Sequence, residues 1–258
     1  MDFHILTLFP EMVEQGLDNS ILKRAKADNL ITVNAVNIRD YSGNKHGSVD
    51  DYTYGGGAGM LMRCAPVYDA YEALGLKDRE KARVIYADPK GVTFNQKMAR
   101  ELSEAGELVF VCGHYEGIDQ RVIDEIVTDR ISIGDYILTG GELPVMVMID
   151  AISRLIPGVL GNEESPCDES FSDDLLEYPQ YTRPEIWHDK KVPDILLSGD
   201  HKKIEEYRLF EAIKETRLHR PDLYEKYRDK IIKEEESLKP RRRVVTNFIN
   251  ELDCNSEE

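Results

Sequence analysis

The sequence predicts an α/β domain built on a mainly parallel sheet and followed by a small all-α domain. Apolar, β-rich runs alternate with helical patterns from residue 3 to residue 156, which is typical of this fold class. Glycine-containing segments follow three of the predicted strands. Beyond residue 200 the pattern is helical only, with Pro221 and Pro240 as breaks. We therefore expect a sheet domain first and a helical domain second.

The elements of the first domain can be placed in order along the chain. FHILTLF predicts a buried strand, and Pro10 stands where a helix begins, a position that tolerates proline. The predicted strands span residues 3–9, 31–38, 82–88, 107–113 and 130–134. The predicted helices span residues 21–30, 66–74, 93–105, 119–127 and 143–156, and we expect a polar, glycine-rich loop over 40–60. The last helix is apolar almost all round, which indicates that it is buried.

Three segments leave their strands through glycine: ADPKG (87–91), GHYEGID (113–119) and IGDYILTGGELP (133–144). In open parallel sheets, ligands bind beyond the carboxyl ends of the strands. We therefore expect the three loops to gather at one edge of the sheet and to form a pocket.

Several nucleotide and catalytic templates are missing from the sequence. GGGAGM (55–60) lacks the G-K-[ST] of a P-loop, no G-x-G-x-x-G follows the first strand, and no G-x-S-x-G occurs. No His/Cys cluster has zinc spacing. What remains is a glycine-rich pocket with Tyr115, Glu116, Tyr136 and Pro144, which suits an adenine or adenosyl group.

Composition limits the partners and the compartment. The net charge of −16 argues against coating nucleic acid by bulk charge, although residues 202–243 hold 14 basic and 10 acidic side chains. The four cysteines, at positions 64, 112, 167 and 254, are expected to be free thiols. MDFHILTLFPEM has no signal-peptide pattern and no apolar run reaches eighteen residues, so we expect a cytoplasmic protein without membrane contact.

Four long motifs carry a resemblance to a known family. They are VDDYTYGGGAGMLM (49–62), GHYEGIDQRV (113–122), SIGDYILTGGELPVMVMIDAISRLIPGVLG (132–161) and LLEYPQYTRPEIW (175–187). In register from residue 1 to about residue 240, the sequence resembles the bacterial tRNA (guanine-N1)-methyltransferases of the knotted, or SPOUT, superfamily. The resemblance implies a deep trefoil knot in the C-terminal part of the sheet, an exception to the usual unthreaded chain. It also implies a knotted domain over 1–160, an acidic linker over 161–175 and a tRNA-binding helical domain over 176–258.

The resemblance further implies that S-adenosylmethionine binds in the knot and that its methyl group is transferred to N1 of the guanosine immediately 3′ of a tRNA anticodon. Carried over by position, the cofactor-binding residues are Pro89, Gly113, Tyr115, Glu116, Ile133, Gly134, Asp135, Tyr136, Ile137, Leu138, Gly140, Gly141 and Pro144. The partners implied are the tRNA anticodon stem-loop and a second copy of the chain, in a homodimer with the active site at the interface. The family also implies a requirement for Mg²⁺, for which the sequence offers Glu116 and the linker acids but no recognisable metal site.

The chemistry needs a base, because N1 of guanine carries a proton at neutral pH, and a donor that stabilises charge on O6. The family's base is an aspartate before Ser-Phe, and here Glu169 takes its place, with Asp168 as the rival. Arg154 matches the family's catalytic arginine. It also stands four residues after Asp150, so an ordinary helical ion pair is the alternative interpretation.

The sequence departs from the family pattern outside the knot motifs. Tyr52 and Thr53 replace Arg-Pro, Ala58 replaces a common proline, and Asp88 and Lys90 replace polar residues in the first glycine loop. Two alternatives therefore stay open. One is a knotted methyltransferase that acts on another RNA position, such as a ribose 2′-hydroxyl, and the other is a non-catalytic RNA- or cofactor-binding relative.

Overall fold

The computed structural model describes residues 1–76, 81–161, 170–171, 174–238 and 243–254. The chain divides into two compact units, Met1–Glu163 and Glu164–Glu258. The first unit has two hydrophobic clusters and the second has one of its own.

The first unit alternates strands and helices. Its strands are β1 (Asp2–Thr7), β2 (Thr32–Asn37), β3 (Asp50–Tyr52), β4 (Met60–Met62), β5 (Arg83–Thr93), β6 (Glu107–Val111) and β7 (Asp129–Ser132). Its α-helices are α1 (Pro10–Gly16), α2 (Ser20–Ala27), α3 (Cys64–Glu72), α4 (Gln96–Ser103), α5 (Gln120–Ile126) and α6 (Glu142–Ser153), and a 3₁₀ turn covers Ile38–Tyr41.

Five strands form the central sheet in the order β2-β1-β6-β5-β7, and every neighbouring pair is parallel. The predicted α/β class with a mainly parallel sheet is therefore confirmed. The predicted loop over 40–60 is wrong in one detail, because β3 and β4 pair as an antiparallel hairpin around the glycine-rich turn. Since β4 also bridges to Ile118, the hairpin lies beside the loop that follows β6.

The side chains of β6 show how the sheet is covered on both faces. Leu108 and Phe110 belong to one cluster, with α1, α2, α4 and α6, whereas Val109 and Val111 belong to the other, with α3 and α5. This alternation follows from the two-residue repeat of a strand. Strands buried on both faces read as continuous apolar runs, which is why ELVFV was recognisable in the sequence.

Helix α6 is only partly buried. Val145, Met148, Ile149 and Ile152 are in the core, as the apolar sequence predicts, but one face is open. On that face Leu143 is 46% exposed and Val147 is 51% exposed. The prediction of a fully buried helix is therefore wrong for this face, because α6 covers one side of the sheet and nothing in the described residues covers its outer side.

The first glycine segment is a bulge inside β5 rather than a loop after it. Ala87 and Val92 both pair with Ile131, so the residues between them leave the ladder. Asp88 Oδ1 accepts a hydrogen bond from the Lys90 N–H at 3.0 Å, which closes the turn. A Cβ at Gly91 would overlap the backbone of Arg130 and Ile131, so this position has room for glycine only.

The second unit is mainly helical. It contains α7 (Asp194–Leu197), α8 (His201–His219), α9 (Pro221–Glu235) and α10 (Val244–Cys254), together with a short hairpin of β8 (Ile186–Trp187) and β9 (Lys190–Lys191). The hairpin corrects the prediction of a purely α-helical domain. Pro221 separates α8 from α9 as predicted, and Pro240 lies outside the described residues.

The core of this unit is formed by α8, α9 and α10. Ile213, Tyr224, Tyr227 and Ile249 are buried there. The Tyr224 hydroxyl donates to Asp253 at 2.8 Å, and burial raises the pKa of this phenol to about 12.

Candidate active site

A cavity of about 470 Å³ lies beyond the carboxyl ends of β6, β5 and β7. All three glycine segments line it, as expected from their positions at the ends of neighbouring parallel strands. Its volume falls in the range of roughly 300–1,000 Å³ that is usual for small-molecule sites.

Twelve of the thirteen residues predicted to bind the cofactor line this cavity. They are Pro89, Gly113, Tyr115, Glu116, Ile133, Gly134, Tyr136, Ile137, Leu138, Gly140, Gly141 and Pro144. Asp135 is exposed and is not among the lining residues. The structure thus brings the predicted set together, while the role of each residue stays a prediction.

Glycines in the third segment allow close approaches within the site. A Cβ at Gly141 would lie 2.7 Å from the Cα of Cys112, just after β6. At Gly134, where φ is +148°, a Cβ would lie 2.5 Å from the ring of Tyr136. The ring is held there because the Tyr136 hydroxyl donates to the Ile133 carbonyl at 3.2 Å. Side chains at these positions would push the third segment away from β6 or displace the aromatic wall.

A buried polar network supports the floor of the cavity. The Glu142 side chain is 3% exposed, and its Oε2 lies 2.7 Å from Nε2 of His114, a lining residue. The Thr7 hydroxyl donates to Glu142 Oε1 at 2.6 Å and accepts from the Phe9 N–H at 2.9 Å. Three parts of the chain meet at this carboxylate: the end of β1, the segment after β6 and the start of α6.

Burial by itself would raise the pKa of Glu142. The hydrogen bonds from His114 and Thr7 outweigh that effect and hold the pKa below its ordinary value of 4.5. Burial raises the pKa of the nearby Cys112 thiol, and the Glu142 charge adds to this shift. The carboxylate is therefore ionised at neutral pH and the thiol is not.

The opposite wall combines an aromatic ring and an ion pair. Burial raises the pKa of the Tyr86 phenol to about 12, and the charge of Asp88 adds to this shift. Arg130 Nη1 lies 3.7 Å from Asp88 Oδ2. Asp88 is thus the acceptor that closes the β5 bulge and one of two carboxylates near Arg130, the other being Asp124 at 3.6 Å.

Comparison with known proteins fits this geometry. The family model described as "tRNA (Guanine-1)-methyltransferase TrmD" matches residues 1–226. The tRNA (guanine-N(1)-)-methyltransferase of Lachnospira eligens is 58% identical over 227 residues, which cover 88% of this chain and 96% of that protein. The proteins of the same name from Clostridioides difficile and Staphylococcus aureus are 56% and 55% identical, and cover 89% and 88% of this chain and 100% and 92% of their own.

The chain belongs to the tRNA (guanine-1)-methyltransferase family. The resemblance predicted from the sequence motifs is therefore confirmed. Residues 227–258 lie beyond the part that the family model matches.

The catalytic candidates are only partly described. Glu169 and Asp168 lie outside the described residues. Arg154 is half-buried and caps the C-terminus of α6, where its N–H donates to the Asp150 carbonyl at 3.2 Å. The structure thus places one of the three candidates.

Sequence reasoning missed the network and the Tyr86–Arg130 wall. Thr7, His114 and Glu142 are ordinary residue types next to more conspicuous glycines. A signal was present, because Thr7 ends one strand, His114 follows another, and the carboxyl ends of parallel strands share an edge. A polar residue at such a strand end is a site candidate even without a motif.

Other predicted features can be checked against the described residues. Cys64, Cys112 and Cys254 are free, and Cys167 lies outside the described part of the chain. Within that part, no three His, Cys, Asp or Glu side chains come together as a metal site, and no helix has the length and apolarity to cross a bilayer.

We expect Glu142→Gln to lower the free energy of unfolding at pH 7 by about 2–3 kcal/mol, because a charge-assisted buried network is lost. The pH dependence gives a second readout. Since the folded-state pKa of Glu142 is depressed, its stabilisation is complete above about pH 4.5 and is lost as the pH falls through the folded-state value. Urea unfolding between pH 7 and pH 3 should therefore show a shallower loss of stability in the variant.

Glu125→Gln is the matched control, because Glu125 is an exposed acid on α5. It should change stability by less than about 0.5 kcal/mol at any pH. A Glu142→Gln protein as stable as this control, with the pH profile of the wild type, would contradict a structural role for the network.

Proposed function

We propose that the protein transfers the methyl group of S-adenosylmethionine to N1 of the guanosine immediately 3′ of the anticodon in tRNA. The observation that carries the proposal is a single cavity, in a chain of this family, lined by all three predicted glycine segments. The relatives' printed name supports the guanine N1 position.

The cavity fits the cofactor chemically. The main-chain N–H groups of Ile137 and Leu138 have no acceptor within the described residues, so they are able to donate to a ligand. Tyr115, at a φ of 58°, and Tyr136 add half-exposed aromatic faces, which suit an adenine ring. S-adenosylmethionine supplies an activated methyl group when it is bound. The protein's remaining tasks are then to hold the guanine in line, to remove its N1 proton and to stabilise charge on O6.

We further propose that the first unit is knotted. Its support is that Gly141, in the segment after β7, lies directly against Cys112 at the end of β6, where an added Cβ would be 2.7 Å from the Cys112 Cα.

A homodimer with the active site at its interface is part of the same proposal. Its support is the open apolar face of α6, with Leu143 and Val147, beside the half-exposed Phe9 and Met12 at the start of α1. These two helices are in close contact at Gly16, where an added Cβ would overlap the Met146 side chain. A requirement for Mg²⁺, with Glu116 as a candidate ligand, and a cytoplasmic location stay predictions.

The assay that tests the proposal uses tritiated cofactor and two tRNA transcripts that differ only in having G or A after the anticodon. We expect label in the G transcript alone. Equal labelling of both would favour the alternative of another RNA position, such as a ribose hydroxyl. No labelling of either, with cofactor binding retained in calorimetry, would favour the non-catalytic alternative.

The base is tested by separate Glu169→Ala and Asp168→Ala variants. We expect Glu169→Ala to lower kcat by about 100-fold to 10,000-fold, as is usual when a general base is removed, and Asp168→Ala to have a smaller effect. Glu163→Ala, which removes a linker acid outside the acid-Ser-Phe motif, is the control. A fully active Glu169→Ala enzyme would exclude Glu169, and loss of activity in Asp168→Ala alone would transfer the role to Asp168.

Arg154→Lys tests the donor to O6. We expect unchanged cofactor affinity and a kcat lowered by about 100-fold, because an ammonium does not replace a bidentate guanidinium. Arg100→Lys, on the exposed end of α4, should behave like the wild type. Normal turnover in Arg154→Lys would leave Arg154 with only the ordinary role of a helix-terminal cation.

A further inference from the structure

A second cavity, of about 520 Å³, lies within the second unit. It is formed by the segment 178–185 together with residues of α7 and α8. Nothing in the proposed methyl transfer uses this cavity. Its volume is again in the range of roughly 300–1,000 Å³ that is usual for small-ligand sites.

One wall of this cavity includes Arg208, and one of its N–H donors has no hydrogen-bond acceptor within the described residues. The Arg208 guanidinium lies over the Tyr178 ring, 5.0 Å from its centroid. The Nε of Arg208 is buried and has no acceptor within the described residues. A buried N–H without an acceptor is costly, and Arg208 also lines the cavity, so its guanidinium favours an anionic oxygen there.

The charges of the lining also favour an anion. Glu185 is its acidic member, and its Oε1 lies 4.0 Å from Lys191 Nζ, so a cation already faces it. Arg183 and Arg208 have no carboxylate partner among the described residues. Within the part of the chain that the structure describes, the cavity therefore presents two guanidinium groups without a carboxylate partner.

An aromatic face completes the cavity. Tyr181 lines it and is 47% exposed, which leaves part of its ring open to a ligand. Burial raises the pKa of the neighbouring Tyr207, and its proximity to Glu211 and Tyr181 adds to this shift.

We infer that this cavity binds one nucleotide of single-stranded RNA, with Arg208 donating to a phosphate oxygen and Tyr181 stacking on the base. A phosphate beside a planar base uses both the guanidinium groups and the ring, whereas an acidic peptide would use only the guanidinium groups. This inference rests on the proposed function, because tRNA is the RNA that would be bound.

The experiment measures fluorescence anisotropy of a labelled anticodon stem-loop RNA as the KCl concentration is varied. We expect Arg208→Gln to weaken binding about tenfold. It should also reduce the slope of log Kd against log salt by about 0.7, the value for one single-strand phosphate. Tyr181→Ala should weaken binding about tenfold without changing the slope, because stacking releases no counterion. Lys202→Gln, an exposed cation in the first turn of α8 that does not line the cavity, is the control and should stay within about twofold.

Wild-type affinity and salt slope in both cavity variants would overturn the inference. If Arg208→Gln fails to fold, as judged by circular dichroism, Tyr181→Ala alone decides, since its side chain is half exposed. The inference would also be overturned if the wild-type protein bound a polyglutamate peptide, the cavity variants abolished that binding, and the stem-loop RNA did not displace the peptide. That result would assign the cavity to a protein partner.

Methylation kinetics on the same proteins separate this inference from the proposed function. A KM for tRNA raised about tenfold in both cavity variants, with kcat unchanged, supports both. A wild-type protein that binds the stem-loop through the cavity but transfers no methyl group would refute the function alone. Wild-type methylation with unchanged KM in both variants would refute the cavity's role alone.

Discussion

The buried Glu142 carboxylate is the interaction on which the first unit most depends. It receives hydrogen bonds from Thr7 at the end of β1 and from His114 after β6, and it stands at the start of α6. Removing a carboxylate from water is costly, and the cost is offset only when donors are fixed around it. The three segments are therefore held in one arrangement, and His114, a member of the network, also lines the cavity. The hydrogen bonds from Thr7 and His114 keep Glu142 ionised, and the same hydrogen bonds hold the three segments together.

Glycine makes that arrangement sterically possible. Gly140 and Gly141 bring the third segment against His114 and Cys112, and a Cβ at either position would overlap those neighbours. Gly91 does the same for the β5 bulge against β7. Flexibility is thus a secondary property of these residues in the folded protein. Their main contribution is the absence of a side chain where the segment touches a neighbouring backbone, at Gly91 and Gly141, or the His114 ring, at Gly140.

Much of this could be predicted from the sequence, and the exceptions have physical causes. The apolar runs of β1 and β6 and the placement of Pro10 and Pro221 identify elements correctly, because burial and proline geometry act locally. The β3–β4 hairpin was missed because its polar, glycine-rich sequence is typical of a loop, and its strands form only through pairing with each other. The open face of α6 was missed because an apolar residue looks the same whether it is covered by its own chain or not. In the Thr7–His114–Glu142 network, Glu142 lies 135 positions from Thr7 and 28 positions from His114, and no local pattern encodes such contacts.

The acidic composition of the chain and its proposed RNA substrate are compatible once charge is considered locally. Much of the acidic charge near the second cavity is matched by cations, as in the Lys191–Asp194 and Lys203–Asp200 pairs. Such exposed pairs contribute little to stability, but they cancel each other's field over a few ångströms. Among the described residues that line this cavity, the charges left without a partner are those of Arg183 and Arg208. A strongly negative protein can therefore bind a polyanion at a few points, with a salt dependence set by those contacts and not by its net charge.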